Sequence, residues 1–120
     1  MPVSVITHAI ENYRIKLCSR DADWDASYRY RAVISCYNAG NVVGYLYFKQ
    51  SVGNYDDTYY TTRDGVDVVK LLFEDRDFDR ILSLLQNESP VYINLRKTYE
   101  GREGIGYLTT SDEPVGEEEG

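Results

Sequence analysis

Four cations at alternate positions of two strand-like runs are the residues best placed to do chemistry here. Arg14 and Lys16 share one parity of residues 13–18, and Arg29 and Arg31 share one parity of residues 28–37. Alternate side chains of a strand point to the same face. Two such runs, paired antiparallel with their apolar sides aligned, would gather all four charges on the opposite side. A cationic sheet face beside aromatic rings suits single-stranded nucleic acid, because cations track phosphates and rings stack on bases. Rings are plentiful, since 12 of the 120 residues are tyrosine. A second candidate is the polar loop 50–65. There Tyr55, Tyr59 and Tyr60 offer rigid amphipathic area, and Asn54, Thr58 and Thr61 offer adaptable hydrogen bonds, a composition suited to protein or carbohydrate contact. Plainer alternatives stand beside both: a solvated charged face neutralised by neighbouring carboxylates, and a loop folded back on its own domain.

Catalytic and metal-binding patterns fail on their spacing. Asp21-x-Asp23-x-Asp25 opens like a calcium loop, but the sixth and twelfth positions, which need glycine and a bidentate glutamate, hold Ala26 and Ala32. His8 is the single histidine, and Cys18 and Cys36 form no CxxC unit, so no convergent ligand set is visible. No Gly-x-Ser-x-Gly elbow and no glycine-rich phosphate loop appears. Asp56 and Asp57 fall in the polar loop, where solvation should keep them ordinary. The expectation is a protein that is not an enzyme, with no metal and no cofactor. Cys18 is out of phase with Tyr13, Ile15 and Leu17, whereas Cys36 is in phase with Tyr30, Ala32 and Ile34. If those apolar sets share the core face, the sulfurs lie on opposite faces as reduced thiols, which suits the cytoplasm.

The formal charge of −7 is unevenly spread. Asp112, Glu113, Glu117, Glu118 and Glu119 crowd the last ten residues, which hold no base; without them 15 acids face 13 bases. Residues 1–110 thus read as one nearly balanced domain, and 111–120 as a disordered acidic tail. No apolar run approaches the roughly 20 residues that span a bilayer, and no basic-then-apolar leader opens the chain. No membrane association is expected.

The elements that must position these residues follow from periodicity. Residues 13–18 alternate apolar and charged, 28–37 and 42–49 read as longer strands, and Asn38-Ala39-Gly40-Asn41 has hairpin composition. A short strand in 3–10 and another hidden near 58–62 are possible additions. Residues 66–73 form a Val- and Leu-rich strand. Carboxylates at 74–77 suit a helix start, and Phe78, Ile81, Leu82 and Leu85 make one apolar stripe over residues 77–87. Pro90 ends that helix, Val91, Ile93 and Leu95 resume alternation, and residues 105–109 supply a last strand. The fold class expected is α+β: a mainly antiparallel sheet of five to six strands, order β-β-β-β-α-β-β, packed by one helix. One helix cannot cover so many strands, so the uncovered part faces solvent or a second copy, and a homodimer is expected.

The stretch Phe78-Asp79-Arg80-Ile81-Leu82-Ser83-Leu84-Leu85-Gln86-Asn87-Glu88-Ser89-Pro90-Val91-Tyr92, with the ending Glu113-Pro114-Val115-Gly116-Glu117, resembles a set of short uncharacterised bacterial proteins. In these a helix ends in Asn-Glu-x-Pro-Val-Tyr and the chain closes on Glu-Pro-Val-Gly-Glu. The resemblance covers about residues 78–95 and 112–119; it implies a bacterial or phage-borne origin and brings no activity and no catalytic residues. In topology alone, four strands followed by a helix also resemble the whirly and Pur-type nucleic-acid-binding folds, a likeness that transfers no function. The functional expectation is a non-catalytic interaction or binding module acting as a homo-oligomer, with a single-stranded nucleic-acid binder as its alternative.

Overall fold

The computed structural model describes residues 4–25, 28–51, 53, 56–98 and 102–110, with side chains for all but 20–25, 28 and 29. Its strands are β1 (Val5–Ile10), β2 (Asn12–Asp25), β3 (Tyr28–Asn38), β4 (Asn41–Lys49), β5 (Asp57–Thr61) and β6 (Asp67–Glu74). Then come a 3₁₀ turn (Asp75–Asp77), helix α1 (Phe78–Asn87), β7 (Val91–Lys97) and β8 (Glu103–Thr109). All eight strands join one sheet in the order β1-β7-β8-β5-β6-β4-β3-β2.

This corrects the expected five to six antiparallel strands packed by one helix. The protein is mostly β, a single mixed sheet curled into a half-barrel with one short helix. Six strands precede the helix rather than four, so the likeness to whirly and Pur-type topology falls away. The causes are non-local. The residues of β1 alternate poorly, and the strand forms because β7 offers it an antiparallel partner more than 80 residues along the chain, Val5 opposite Arg96. The sequence of β5, Asp-Thr-Tyr-Tyr-Thr, is short and polar, yet it runs antiparallel along β6. Having passed beyond the place of β6 to make β5, the chain turns back into β6, which therefore lies parallel to β4.

Chain connectivity explains the curl. Strands β1 and β2 sit at opposite ends of the sheet order yet are joined by Glu11 alone, so the two ends must meet there. Glu11 N donates to the Tyr37 carbonyl at 2.8 Å, and Asn38 Nδ2 donates to the Ala9 carbonyl at 2.9 Å, stitching the junction. The β3–β4 hairpin has its expected turn: Ala39 and Gly40 take φ of 53° and 82°, the left-handed pair that matches strand twist.

The concave face holds the core. Ile34, Cys36, Leu46, Phe48, Val69, Leu71, Ile93 and Leu95 are buried there. Gly44 marks where the walls nearly touch, since a Cβ on it would lie 2.3 Å from Ile93 Cδ1. Helix α1 buries Ile81 and Leu85, and Phe78 sets its ring edge-on to Phe48, centroids 5.0 Å apart. Phe48 in turn stacks on Phe73 at 5.8 Å. The expected stripe needs one change: Leu84, not Leu82, packs against this cluster. The acidic entry to the helix also differs from expectation. Neither Glu74 nor Asp77 makes a side-chain capping hydrogen bond; Glu74 pairs instead with Arg76 at 2.8 Å and Asp77 with Arg80 at 3.3 Å.

Candidate binding surfaces

Sheet register assembles the convex face. One row runs Lys16, Val33, Tyr47, Leu72 across β2, β3, β4 and β6. The next runs Arg14, Ser35, Tyr45, Lys70, Thr58 and reaches β5. Between them lies Ile15, Ile34, Leu46, Leu71, which points the other way, into the core. On the convex side Val33, Tyr47 and Leu72 form a small second core, covered by Tyr30 and Tyr45. Tyr30 meets Tyr47 edge-on at 5.2 Å, and Tyr45 lies 5.9 Å from Tyr47. Cations close over the outer rings: Arg14 over Tyr37 at 5.4 Å, Lys16 over Tyr30 at 5.7 Å, and Lys70 over Tyr60 at 4.9 Å. Each such contact is worth about 0.5–1 kcal/mol when exposed. Burial first, then the closeness of Tyr60, pushes the Tyr45 phenol above its usual range.

Of the residues singled out in the sequence, Arg14, Lys16 and Tyr60 belong to this face. Arg31 is exposed on β3, next to Tyr30. Tyr59 does not join them. It packs against the main core on the concave side, with Lys97 Nζ 4.7 Å and Arg102 Cζ 5.0 Å from its ring centroid. Arg102 also donates to Thr61 Oγ1 at 3.2 Å. Tyr55 and the Arg29 side chain lie outside the described residues. The phase assigned to Tyr30 is corrected: it sits with Tyr47 on the convex side, not with Ala32 and Ile34 on the core face. A register shift between Leu17 and Ala22 interrupts the alternation beside it. Sequence reasoning missed Tyr37 and Lys70 as members of the surface. The alternation of Tyr45 and Tyr47 was a visible signal, but Lys70 arrives only through the parallel β4–β6 pairing.

The residues weighed for catalysis have structural partners. His8 donates from Nε2 to the Asp67 carbonyl at 2.7 Å. Asp57 is not an ordinary solvated carboxylate: it accepts from Leu72 N and from Gly106 N, each at 2.8 Å, clamping β6 to β8 where β5 begins. Burial pushes its carboxyl above the usual range, outweighing these two hydrogen bonds, which pull the other way. Cys18 and Cys36 are both free, and burial pushes the Cys36 thiol up to about 12. Among the described residues no group of three or more His, Cys, Asp or Glu could hold a metal ion, and no helix is long and apolar enough to cross a membrane. A groove of about 590 Å³ between α1 and β8 is lined by Phe73, Ile81, Leu84 and Leu108, with Arg80 and Glu88 among its polar residues; no histidine or cysteine lines it.

A second surface lies at the margin of the sheet. Strand β2 is 14 residues long and, among the described residues, pairs on one edge only. Its core-phase residues Ile15 and Leu17 are 42% and 70% exposed and stand outside the core cluster that α1 joins through Phe78, Ile81, Leu84 and Leu85. An unpaired strand edge with apolar side chains beside it is a template for another strand. No family model matches the chain, and neither the curated proteins nor the solved structures include a match to it.

Proposed function

We propose that the protein is a non-catalytic interaction module that works as a homo-oligomer, assembling through the β2 margin. One observation carries this reading: Ile15 and Leu17 point to the core side of the sheet yet stand exposed beside an edge that, among the described residues, is unpaired. A second copy supplies both missing items at once, strand partners for the edge and apolar cover for the two side chains. The structural roles of His8, Asp57 and Cys36 are consistent with a protein that performs no chemistry. Light scattering over a range of concentrations tests it. A dimer mass that reverts to monomer on Leu17→Asp supports the reading, and a monomer mass at every concentration removes it.

The convex face favours a second reading, single-stranded nucleic-acid binding. Its specific support is the set of three cation–ring pairs, Arg14–Tyr37, Lys16–Tyr30 and Lys70–Tyr60, on one continuous surface. Affinity for an oligonucleotide should then fall steeply with salt and rise when residues 111–120 are deleted. No binding at low salt by the truncated chain would eliminate it.

A further inference from the structure

The apolar pair and the charged pair on β2 together select one way for two copies to meet. We propose that β2 pairs with the partner's β2 antiparallel about a two-fold axis through Lys16. This inference rests on the homo-oligomer reading and specifies its contact. In an antiparallel pair, directly opposed residues share a face, so a symmetric register must keep core-phase residues opposite core-phase residues. Three registers do so while overlapping Ile15 and Leu17.

Centring the axis on Ile15 sets Arg14 against the partner's Lys16, and Lys16 against the partner's Arg14. Two directly opposed like-charge pairs then lie on the convex face, and such pairs destabilise. Centring it on Leu17 sets Ile15 against the partner's Ser19, which leaves half of the apolar pair unmatched. Centring it on Lys16 sets Ile15 against the partner's Leu17 and Leu17 against the partner's Ile15. Each of the two exposed side chains then has an apolar side chain of the partner directly beside it. Arg14 faces the partner's Cys18, and the one like-charge contact is Lys16 against the partner's Lys16 on the axis. This register matches both exposed apolar residues of β2 and carries the fewest opposed cations. The antiparallel pair also continues the sheet from one copy into the next, so the cation–tyrosine faces of both copies lie beside one another.

Two measurements on the full chain test the register. Arg14→Cys places a thiol directly opposite the partner's Cys18; mild oxidation should give a covalent dimer, with the new thiol joined to Cys18 in the cross-linked tryptic peptide. Wild type under the same oxidation should remain uncross-linked, because Cys18 does not face itself. Independently, Lys16→Glu should dimerise with itself about as well as wild type does, since like still faces like. A mixture of the two should favour the mixed dimer by about fivefold over the statistical ratio, as expected when opposed like charges become opposite charges. Both positions are exposed, so each variant should lose little more than its cation–ring contact and lower the thermal transition by no more than a few degrees. A dimer mass without the Arg14→Cys cross-link, and without preference for the mixed dimer, overturns the register and leaves self-association standing. Cross-linking of wild type through Cys18 also overturns it, by displacing the axis. A monomer mass for wild type overturns both register and assembly.

Discussion

A single row of the sheet, read from its covered middle to its bare margin, shows what controls burial in this protein. Leu17, Ala32, Phe48 and Phe73 stand side by side on the concave face of β2, β3, β4 and β6. Leu17 is 70% exposed, Ala32 5% and Phe48 0%. The adjoining core-face row repeats the gradient, from Ile15 at 42% to Ile34 and Leu46 at 0%. These residues do not differ in the sense that decides a core position, since all are apolar and all share one phase. They differ in whether α1 and the facing strand β7 reach over them. Phe48 has Phe73 beside it and Phe78 above it, while Leu17 has a sheet neighbour and, among the described residues, no lid. Hydrophobicity selects the face; tertiary reach decides which part of the face becomes core.

Substitutions along that row test the contrast most directly. Phe48→Ala should cost about 3–5 kcal/mol in denaturant unfolding, because it removes a ring packed on two sides and leaves a cavity. A cost below about 1 kcal/mol would mean that the helical lid does not make the core. The next effect belongs to the Asp57 clamp. Asparagine offers one acceptor where two are used, so Asp57→Asn leaves Leu72 N or Gly106 N facing a donor, at about 1–3 kcal/mol. That gap should depend on pH with a definite sign. The folded-state pKa of Asp57 is raised above 3.8, so its titration contributes stability that is full below 3.8 and lost as pH rises through the raised value. The difference between wild type and Asp57→Asn should therefore widen on acidification; a gap that narrows would show that the carboxyl is not held up by burial. The smallest change should come from Leu17→Ala. Measured at concentrations low enough to hold the protein monomeric, it should shift stability by less than about 0.5 kcal/mol, as exposed sites do. Parity with Phe48→Ala would erase the distinction between middle and margin.

The parts of the fold legible from residue order are those set by neighbours in sequence. The place of the Asn38–Asn41 turn follows from its composition, with Gly40 taking positive φ as expected and Ala39, rather than an asparagine, taking the other left-handed position; α1 follows from its stripe, which ends before Pro90. Arg14 and Lys16 on the face opposite Ile15 and Leu17 follow from alternation alone. Beyond such spans the same reasoning falters. Counting parity along β3 places Tyr30 on the core face, but a register irregularity against β2 resets the count there. Asp57 was read from the polarity of its loop, whereas its surroundings are two amides brought from β6 and β8.

Sequence by itself determined part of the local grammar of this protein: that residues 13–18, 28–37, 42–49 and 91–95 extend, where the helix runs, which side of residues 13–18 is greasy, and that one helix is too little cover for the sheet. Those outcomes depend on backbone preference and side-chain period, which neighbours within a few positions settle. Residues 21–25 read as a loop, whereas β2 continues to Asp25. Only the tertiary structure decided that β1 joins β7, that β4 and β6 run parallel, that Lys70 and Tyr60 join Arg14 and Tyr37 on one convex surface, and that the bare remainder of the core face falls at Ile15 and Leu17. Each of these is a choice among distant partners. It is made by whichever closure of the sheet buries the most apolar area while satisfying its backbone, a quantity that no local window contains.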